Sequence, residues 1–134
     1  MNGVSLTSKG EWKIIHILKN SKIKFEAEKT FKDLNMVLLR YDFFLYEKNI
    51  IIEFNGEQHY KFNSHFFKTR QEFLVQQERD RRKIGYANAH GMKIYCIPYW
   101  ELDNINKAED LFQKKFLAKS KFHNDIVWRN YAKT

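Results

Sequence analysis

The clearest pattern in the chain is a pair of short runs in which β-branched and aromatic residues alternate with polar ones. The runs extend from Met36 to Leu45 and from Asn49 to Phe54, and the polar residues Tyr46-Glu47-Lys48 separate them. Two such runs joined by a short polar connection predict a β-hairpin. If the turn is centred between Glu47 and Lys48, Asp42 and Glu53 are equally far from that centre. They would then lie directly opposite each other, on the same face.

One face of this hairpin carries both acids, and the other face is predicted to be a core surface. The acid-bearing face has Arg40, Asp42, Phe44, Ile51, Glu53 and Asn55, and the core face has Leu39, Tyr41, Phe43, Leu45, Ile50, Ile52 and Phe54. Directly opposed carboxylates repel each other and destabilise a sheet unless something offsets their charge. A Mg²⁺ or Mn²⁺ ion would offset it, because these ions prefer hard oxygen ligands. The alternative is an acid pair at a solvated sheet edge, neutralised by Arg40 or a nearby lysine.

The chain before the hairpin is predicted to contain one helix and one strand. Residues 1–7 are expected to form a loose end. Ser8 and Glu11 have the spacing of a capping box, and the apolar positions that follow predict a helix from Lys9 to Asn20. The segment from Lys24 to Phe31 alternates apolar and charged residues, which favours a strand with one solvated face.

The chain after the hairpin is predicted to contain a loop, two helices and one strand. The loop runs from Glu57 to Lys68, and the first helix runs from about Thr69 to His90. The apolar run from Met92 to Pro98 predicts a central strand beside the hairpin, and a second helix is expected from Asn106 to Lys119. The segment from Phe122 to Tyr131 suits a short helix or strand. The predicted fold is therefore a single domain of the α+β class, a mixed sheet in the order α-β-β-β-α-β-α.

Composition and charge narrow the classes of partner. The chain of 134 residues is 43% hydrophobic and 16% aromatic, which indicates a folded globule, and its net charge is +8. A small body with that charge favours polyanionic partners, either nucleic acid or an anionic membrane surface. No apolar run approaches the roughly 20 residues of a membrane span, so a cytoplasmic protein is expected. Cys96 is the single cysteine, which excludes an internal disulfide.

Four segments together resemble the PD-(D/E)XK nuclease superfamily. They are Asp42-Phe43-Phe44, the run from Ile52 to Tyr60, the run Asp80-Arg81-Arg82-Lys83, and the run from Gly91 to Tyr99. The resemblance is strongest to the very-short-patch-repair-like branch, which includes phage homing endonucleases with an acid, an aspartate, a histidine and a second aspartate. It implies a restriction-endonuclease-like core with a four-stranded mixed sheet. It also implies metal-dependent hydrolysis of DNA phosphodiester bonds.

The resemblance assigns the metal ligands and exposes one departure from the family pattern. It implies that Asp42 and Glu53 bind Mg²⁺ or Mn²⁺, with the backbone carbonyl of Phe54 as a further ligand. The superfamily often has a lysine two residues after the second acid, and this chain has Asn55 there. Asparagine supplies no positive charge, so another residue must take that role or the enzyme is inactive. His59 is the candidate, because imidazole titrates near neutral pH; the alternative is a loop residue packed beside its neighbour.

Four more residues have both a catalytic and a structural interpretation. Gln58 is either a donor to the attacking water or a phosphate oxygen, or an ordinary loop amide. Glu11 resembles the family's helix-one acid, but the capping box also explains it. Asp80 matches the second aspartate, although charged runs on helices are usually solvated faces. Lys83 is on the same side of the helix as Asp80, where it either approaches the scissile phosphate or pairs with Asp80.

Basic and aromatic residues are the candidates for DNA binding. The predicted phosphate-binding set is Arg40, Lys61, Lys68, Arg70, Arg79, Arg81 and Arg82. Four aromatic residues near this charge, Tyr60, Phe62, Phe66 and Phe67, are either stacking platforms for unpaired bases or ordinary packing residues. The leading hypothesis is a nicking or double-strand DNA endonuclease, phage-encoded by its resemblance and located in the host cytoplasm. The alternatives are a non-catalytic nucleic-acid-binding module and a resolvase of branched DNA, and a homodimer is left open.

Overall fold

A mixed β-sheet organises residues 8–31, 39–62 and 67–120, which are the residues that the computed structural model describes. In these ranges five strands lie in the order β1-β2-β3-β4-β5. The elements are α1 (Lys9–Asn20), β1 (Glu26–Lys29), β2 (Tyr41–Leu45), β3 (Ile50–Asn55), α2 (Arg70–Ala89), β4 (Lys93–Pro98) and β5 (Leu117–Ala118). The predicted fold class, a mixed sheet with helices against it, is confirmed, and so is the order of elements through β4.

The hairpin between β2 and β3 has the predicted register. Phe43 lies opposite Ile52 and Leu45 lies opposite Ile50 in an antiparallel ladder. The turn ends at Asn49, whose φ of 58° is in the left-handed region that asparagine tolerates better than most residues. The paired ladder ends at Phe43 and Ile52, and Asp42 and Glu53 are the next residue of each strand.

The pairing of β3 with β4 is parallel, unlike the other pairings in the described part of the sheet. Parallel neighbours cannot be joined by a tight turn, and here the 20 residues of α2 make the crossover. The register places Glu53 beside Cys96 and Asn55 beside Pro98. The carboxyl ends of the two strands therefore lie side by side, and in sheets of this kind ligands bind at that edge.

The two faces of the sheet are buried in two separate clusters. The cluster on the α1 side contains Ile14, Ile17, Leu18, Phe43, Leu45, Ile52, Tyr95, Ile97, Ile105, Leu111 and Phe116. The cluster on the α2 side contains Leu39, Tyr41, Ile51, Tyr86, Ala87, Met92 and Ile94. Because consecutive residues Ile51 and Ile52 belong to different clusters, β3 is covered on both faces. The acid-bearing face is thus a buried layer under α2.

The structure corrects the predicted placement of Leu39 and Tyr41. Both were expected on the same face as Phe43 and Leu45, but they lie in the cluster on the α2 side. Tyr41 is held there by its hydroxyl, which donates a hydrogen bond to the backbone carbonyl of Lys83 at 2.8 Å. A buried phenol needs such a partner, and Tyr41 has it on α2.

Helices α1 and α2 form where the sequence predicts them. Helix α1 has the predicted bounds and the predicted capping box of Ser8 and Glu11. Helix α2 begins after Thr69, whose side chain accepts from the backbone N–H of Glu72, and ends before Gly91, whose φ is 72°. A left-handed residue after the last turn is the usual way to end a helix.

The strand and loop predictions need four corrections. Strand β1 is shorter than the predicted segment from Lys24 to Phe31. Strand β2 begins at Tyr41, and the part predicted at Met36 to Leu38 lies outside the described residues. The predicted loop after β3 begins with a 3₁₀ turn, Glu57–His59. The sheet has a fifth short strand, β5, where four strands were implied.

The helix predicted from Asn106 to Lys119 is wrong. That segment forms the 3₁₀ turns Ala108–Phe112 and Lys114–Phe116 and then β5. The carboxylate of Asp110 accepts the backbone N–H groups of Asn106 and Lys107, and the backbone at Gln113 is extended with ψ of 142°. The apolar side chains reach the core through these turns, so helical spacing appears without a helix. The segment from Phe122 to Tyr131 lies outside the described residues.

The start of α1 packs directly on β3 at a glycine. A Cβ built on Gly10 would lie 2.3 Å from Cζ of the Phe54 ring, far closer than real side chains approach. The missing side chain therefore lets the helix backbone rest on the aromatic ring. This contact fixes the N-terminal end of α1 against the residue that follows Glu53.

Substituting this glycine tests the contact. Gly10→Ala should lower the free energy of unfolding by about 1–2 kcal/mol, because overpacking against Phe54 exceeds the gain in helix propensity. Urea denaturation would measure the change, with Lys9→Ala at the exposed neighbouring position as the control. In a Phe54→Leu background the same alanine should be neutral or stabilising. A stabilising effect in the wild-type background would contradict the contact.

Candidate active site

Two carboxylates meet where β2 and β3 lie side by side. The backbone N–H of Asp42 donates to Oε2 of Glu53 at 2.6 Å, and the backbone N–H of Phe54 donates to Oδ2 of Asp42 at 2.8 Å. Each acid is thus held by the backbone of the opposite strand. Glu53 is 4% exposed on the middle strand of the described sheet order, so the alternative of a solvated edge is wrong.

A lysine on α2 partly neutralises the pair. The ammonium of Lys83 donates a hydrogen bond to Oε1 of Glu53 at 2.8 Å, with both side chains largely buried. Lys83 therefore pairs with Glu53, and not with Asp80 as one interpretation of the sequence expected. Arg40, the other candidate for neutralisation, pairs with Glu28 at 3.1 Å.

Burial and neighbouring charges shift the pKa values of Asp42 and Lys83. Burial and the charge of Glu53 raise the pKa of Asp42 well above its usual range, and Glu11 adds to the rise. Lys83 and the N–H of Phe54 act in the opposite direction without cancelling it. Burial lowers the pKa of Lys83, but its contacts with Glu53, assisted by Asp42 and Asp80, outweigh burial and leave that pKa raised. Lys83 therefore does not return the pKa of Asp42 to its usual range, chiefly because burial raises it.

The donor set fits one hard divalent cation. Oδ1 of Asp42 has no hydrogen-bond partner among the described residues, and each oxygen of Glu53 keeps a free lone pair beside its single hydrogen bond. In the described ranges no three His, Cys, Asp or Glu side chains are grouped closely enough to hold a metal alone. Mg²⁺ suits such a site, because it commonly takes one or two carboxylates and keeps several waters. The ligand role of the Phe54 carbonyl stays a prediction.

A histidine and an aspartate form a hydrogen-bonded pair near the carboxyl end of β3. Nδ1 of His59, in the 3₁₀ turn after β3, is 2.8 Å from Oδ2 of Asp80 on α2, and Gln76 donates to Oδ1 of the same carboxylate at 3.1 Å. A carboxylate only accepts hydrogen bonds, so Nδ1 is the donor in this contact, and in the neutral ring this selects the tautomer with its lone pair on Nε2. Asp80 is therefore partly buried and pairs with His59, and a catalytic role for either residue stays a prediction.

Glu11 and Gln58 have structural contacts of their own. The carboxylate of Glu11 accepts the N–H of Ser8 at 3.0 Å, which completes the capping box. Glu11 also contributes to the raised pKa of Asp42, and a catalytic role for this acid stays a prediction. The amide of Gln58 folds over Gly56, where its Oε1 would be 2.7 Å from an added Cβ. A role of Gln58 toward water or phosphate stays a prediction.

Some of the predicted phosphate-binding residues pair with a carboxylate, and others are exposed without such a pair among the described residues. Arg81 and Arg82 both pair with Glu78 on α2, as the alternative of a solvated charged face expected. Lys61 is 3.9 Å from Glu57 and hydrogen-bonds to Tyr99. The exposed group is Lys68, Arg70 and Arg79. Binding of DNA by either group stays a prediction.

Two features of the site were not found from the sequence. Gln76 was not singled out, although its spacing of four residues from Asp80 on a helix puts the two side chains together. The partner of Lys83 was missed because Glu53 is 30 residues away in sequence and only the packing of α2 against the sheet brings them together.

Comparisons with known proteins find limited similarity. No family model matches the chain. The chain is 42% identical over 48 residues to the uncharacterized protein 307L of Invertebrate iridescent virus 6, and 35% identical over 48 residues to the uncharacterized protein 033L of Invertebrate iridescent virus 3. Those segments are 36% of this chain in each case and 24% and 25% of the viral proteins.

The structure is similar to that of the catalytic domain of the homing endonuclease I-Bth0305I. The TM-score is 0.48 at 19% sequence identity, over 72% of this chain and 82% of that domain. Neither described helix has the length and apolar composition needed to cross a membrane. The assignment to the PD-(D/E)XK superfamily stays a prediction from the motifs.

The raised pKa of Asp42 predicts how stability depends on pH. Its folded pKa exceeds its unfolded pKa, so folding takes up a proton and stability falls as pH rises from the unfolded value to the folded one. Asp42→Asn, which retains an acceptor for Phe54, should therefore stabilise the metal-free protein at neutral pH but hardly at acidic pH. Urea unfolding in EDTA from about pH 4 to about pH 8 would measure this. The exposed-acid control, Glu47→Gln, should show no such dependence.

The pairing of Lys83 with Glu53 predicts a strong coupling between the two side chains. Lys83→Met should lower the free energy of unfolding by about 3 kcal/mol or more, because it leaves a buried carboxylate unpaired. Adding Glu53→Gln should restore most of that stability, since a neutral pair has no charge to bury. A double-mutant cycle would measure the coupling, and additive losses would contradict a direct pair.

Proposed function

We propose that the protein is a metal-dependent DNA endonuclease that hydrolyses phosphodiester bonds. The observation that supports this most directly is that the carboxylates of Asp42 and Glu53 each accept a hydrogen bond from the backbone of the opposite strand. The pKa of Asp42 stays raised although Lys83 lowers it. A buried acid pair with perturbed protonation, a nearby lysine and a histidine–aspartate pair is typical of an active site. The net charge of +8 favours a polyanionic substrate.

Asp42 and Glu53 would hold a single Mg²⁺ or Mn²⁺ ion. When bound, the ion lowers the pKa of water and offsets negative charge that develops on the phosphate. The two carboxylates need no rearrangement for this role, because backbone N–H groups already orient them. Burial strengthens every charge interaction at the site, including the one with the substrate.

Lys83 would take the role of the lysine that Asn55 replaces. It reaches Glu53 from α2, whereas the lysine of the superfamily follows the second acid on the same strand. A protonated ammonium at this place can hold a phosphate oxygen or the attacking water beside the acids. Its raised pKa keeps the positive charge at neutral pH.

His59 would act as the general base. With Nδ1–H held by Asp80, the lone pair of Nε2 can accept a proton from the attacking water. Water oxygen then bonds to phosphorus as the bond from phosphorus to the leaving oxygen breaks, and the leaving oxygen takes up a proton from solvent. Gln76 and Asp80 act through His59, since they fix the tautomer and the orientation of the ring.

The main alternative is a non-catalytic nucleic-acid-binding module. The contact of 2.8 Å between Lys83 and Glu53 favours it, because an internal cation partly satisfies the acids without a metal. A resolvase acting on branched DNA as a homodimer would use the same acids, and the plasmid assay below is therefore extended to four-way junctions. We also propose a phage origin and a cytoplasmic location. The matched segment spans about a quarter of each viral relative, so the activity of a longer protein is a proposal as well.

Incubation with supercoiled plasmid and Mg²⁺ or Mn²⁺ tests the proposal. The wild-type protein should nick or linearise the plasmid, and Asp42→Asn and Glu53→Gln should abolish cleavage while still binding DNA. His59→Gln should lower the rate by about 10²–10⁴-fold and flatten its dependence on pH. Glu47→Gln, which removes an exposed acid in the turn at the other end of the strands, should cleave normally.

Two results would decide against this function. A wild-type protein that shifts DNA but leaves it intact with either ion would support the binding module. Cleavage of an assembled four-way junction with no cleavage of linear or supercoiled duplex would support the resolvase.

A further inference from the structure

Three aromatic side chains form a cluster at the same end of the sheet as the acids. Tyr60 follows β3, and Tyr99 and Trp100 follow β4. The ring centroids of Tyr60 and Trp100 are 4.8 Å apart, and those of Tyr60 and Tyr99 are 6.1 Å apart. Trp100 is nevertheless 57% exposed and Tyr60 is 38% exposed. Neighbouring large rings with this much exposed surface are candidates for a binding function, and an ordinary core would bury them.

The cluster is connected directly to the proposed active site. The side chain of Tyr60 hydrogen-bonds to that of Asn55, the last residue of β3, and Asn55 lies beside Pro98 in the parallel register. Tyr60 is also the residue after His59. The two loops that carry the rings therefore start side by side at the end of the strands that hold the acids.

A lysine adds positive charge beside the rings. The Lys61 side chain hydrogen-bonds to Tyr99, and its ammonium lies 6.0 Å from the centroid of that ring. The same side chain is 60% exposed, so the charge is open to solvent. An exposed cation next to exposed aromatic rings is the combination by which proteins bind single-stranded nucleic acid.

We propose that Tyr60 and Trp100 form a stacking platform for an unpaired base next to the scissile phosphate, with Lys61 on a neighbouring phosphate. The inference rests on the proposed function and names its substrate class. A base inside a duplex has both faces covered by its neighbours, so only an unpaired or displaced base can stack on protein rings. The substrate is therefore DNA with unpaired nucleotides at or beside the site of cleavage. A negatively supercoiled plasmid supplies such nucleotides by local unpairing, whereas relaxed uniform duplex is a poorer substrate.

Binding to three matched DNA molecules tests the platform without cleavage. They are a duplex with a single-stranded overhang, the same duplex with an abasic overhang, and a blunt duplex with the same number of phosphates. Fluorescence anisotropy in EDTA would measure the affinities. The wild-type protein should bind the base-bearing overhang on the order of tenfold more tightly than the abasic one, which carries equal charge. Tyr60→Ala and Trp100→Ala should each remove most of this preference and leave the affinity for the abasic DNA unchanged.

Two variants serve as controls. Trp100→Phe should keep part of the preference, because a smaller ring still offers a stacking face. Tyr46→Ala should keep all of it, since Tyr46 is 45% exposed but lies in the turn at the opposite end of β3. Thermal unfolding of each variant separates a lost platform from a lost fold, and the milder Trp100→Phe and Tyr60→Phe decide the question if an alanine variant does not fold.

Two outcomes would overturn the platform. One is equal binding of the base-bearing and abasic overhangs by the wild-type protein. The other is a preference that survives in both folded alanine variants, which would make the cluster a purely structural contact between two loops. Failure of the proposed function gives a different result, namely intact plasmid with Mg²⁺ or Mn²⁺ while the overhang preference persists.

Discussion

The feature on which the rest of the structure depends is a pair of carboxylates buried against one lysine in the middle of a sheet. Removing ionised groups from water is unfavourable unless partners compensate them, and here the compensation is incomplete. Glu53 has Lys83 and a backbone N–H, whereas Asp42 has a backbone N–H alone and a raised pKa. The apolar clusters on both faces of the sheet stabilise the fold that holds this unfavourable arrangement in place. The cation that we propose for this site would relieve this imbalance.

The connections between strands determine where the side chains of the candidate site lie. The tight turn between β2 and β3 produces the antiparallel neighbours that carry the acids. The long crossover through α2 produces the parallel neighbours, and the same helix carries Lys83 and Asp80 over the sheet. Each type of strand pairing therefore contributes a different part of the site, and neither would assemble it alone.

The sequence predicts the hairpin and its register because alternation and a short turn leave few other pairings. Helix α1 is clear because its cap and its apolar spacing agree, whereas the end of α2 is marked by Gly91 and its apolar residues show little periodicity. The false helix after β4 shows the limit of spacing: the hydrogen bonds of Asp110 and the extended backbone at Gln113 decide that segment, and periodicity contains no information on either. The partner of Lys83 and the face of Tyr41 depend on how α2 lies over the sheet, which a sequence pattern does not specify.

The hydrogen bonds that orient the two acids also depend on the alignment of β2 with β3. A slip of one residue between β2 and β3 would send every side chain of the moved strand to the opposite layer, and it would separate each carboxylate from the amide that orients it. Misaligned chains would thus have neither a sound interior nor a charged centre. The buried charged centre therefore forms only in chains whose strands are correctly aligned, so it reports on the alignment of the whole sheet.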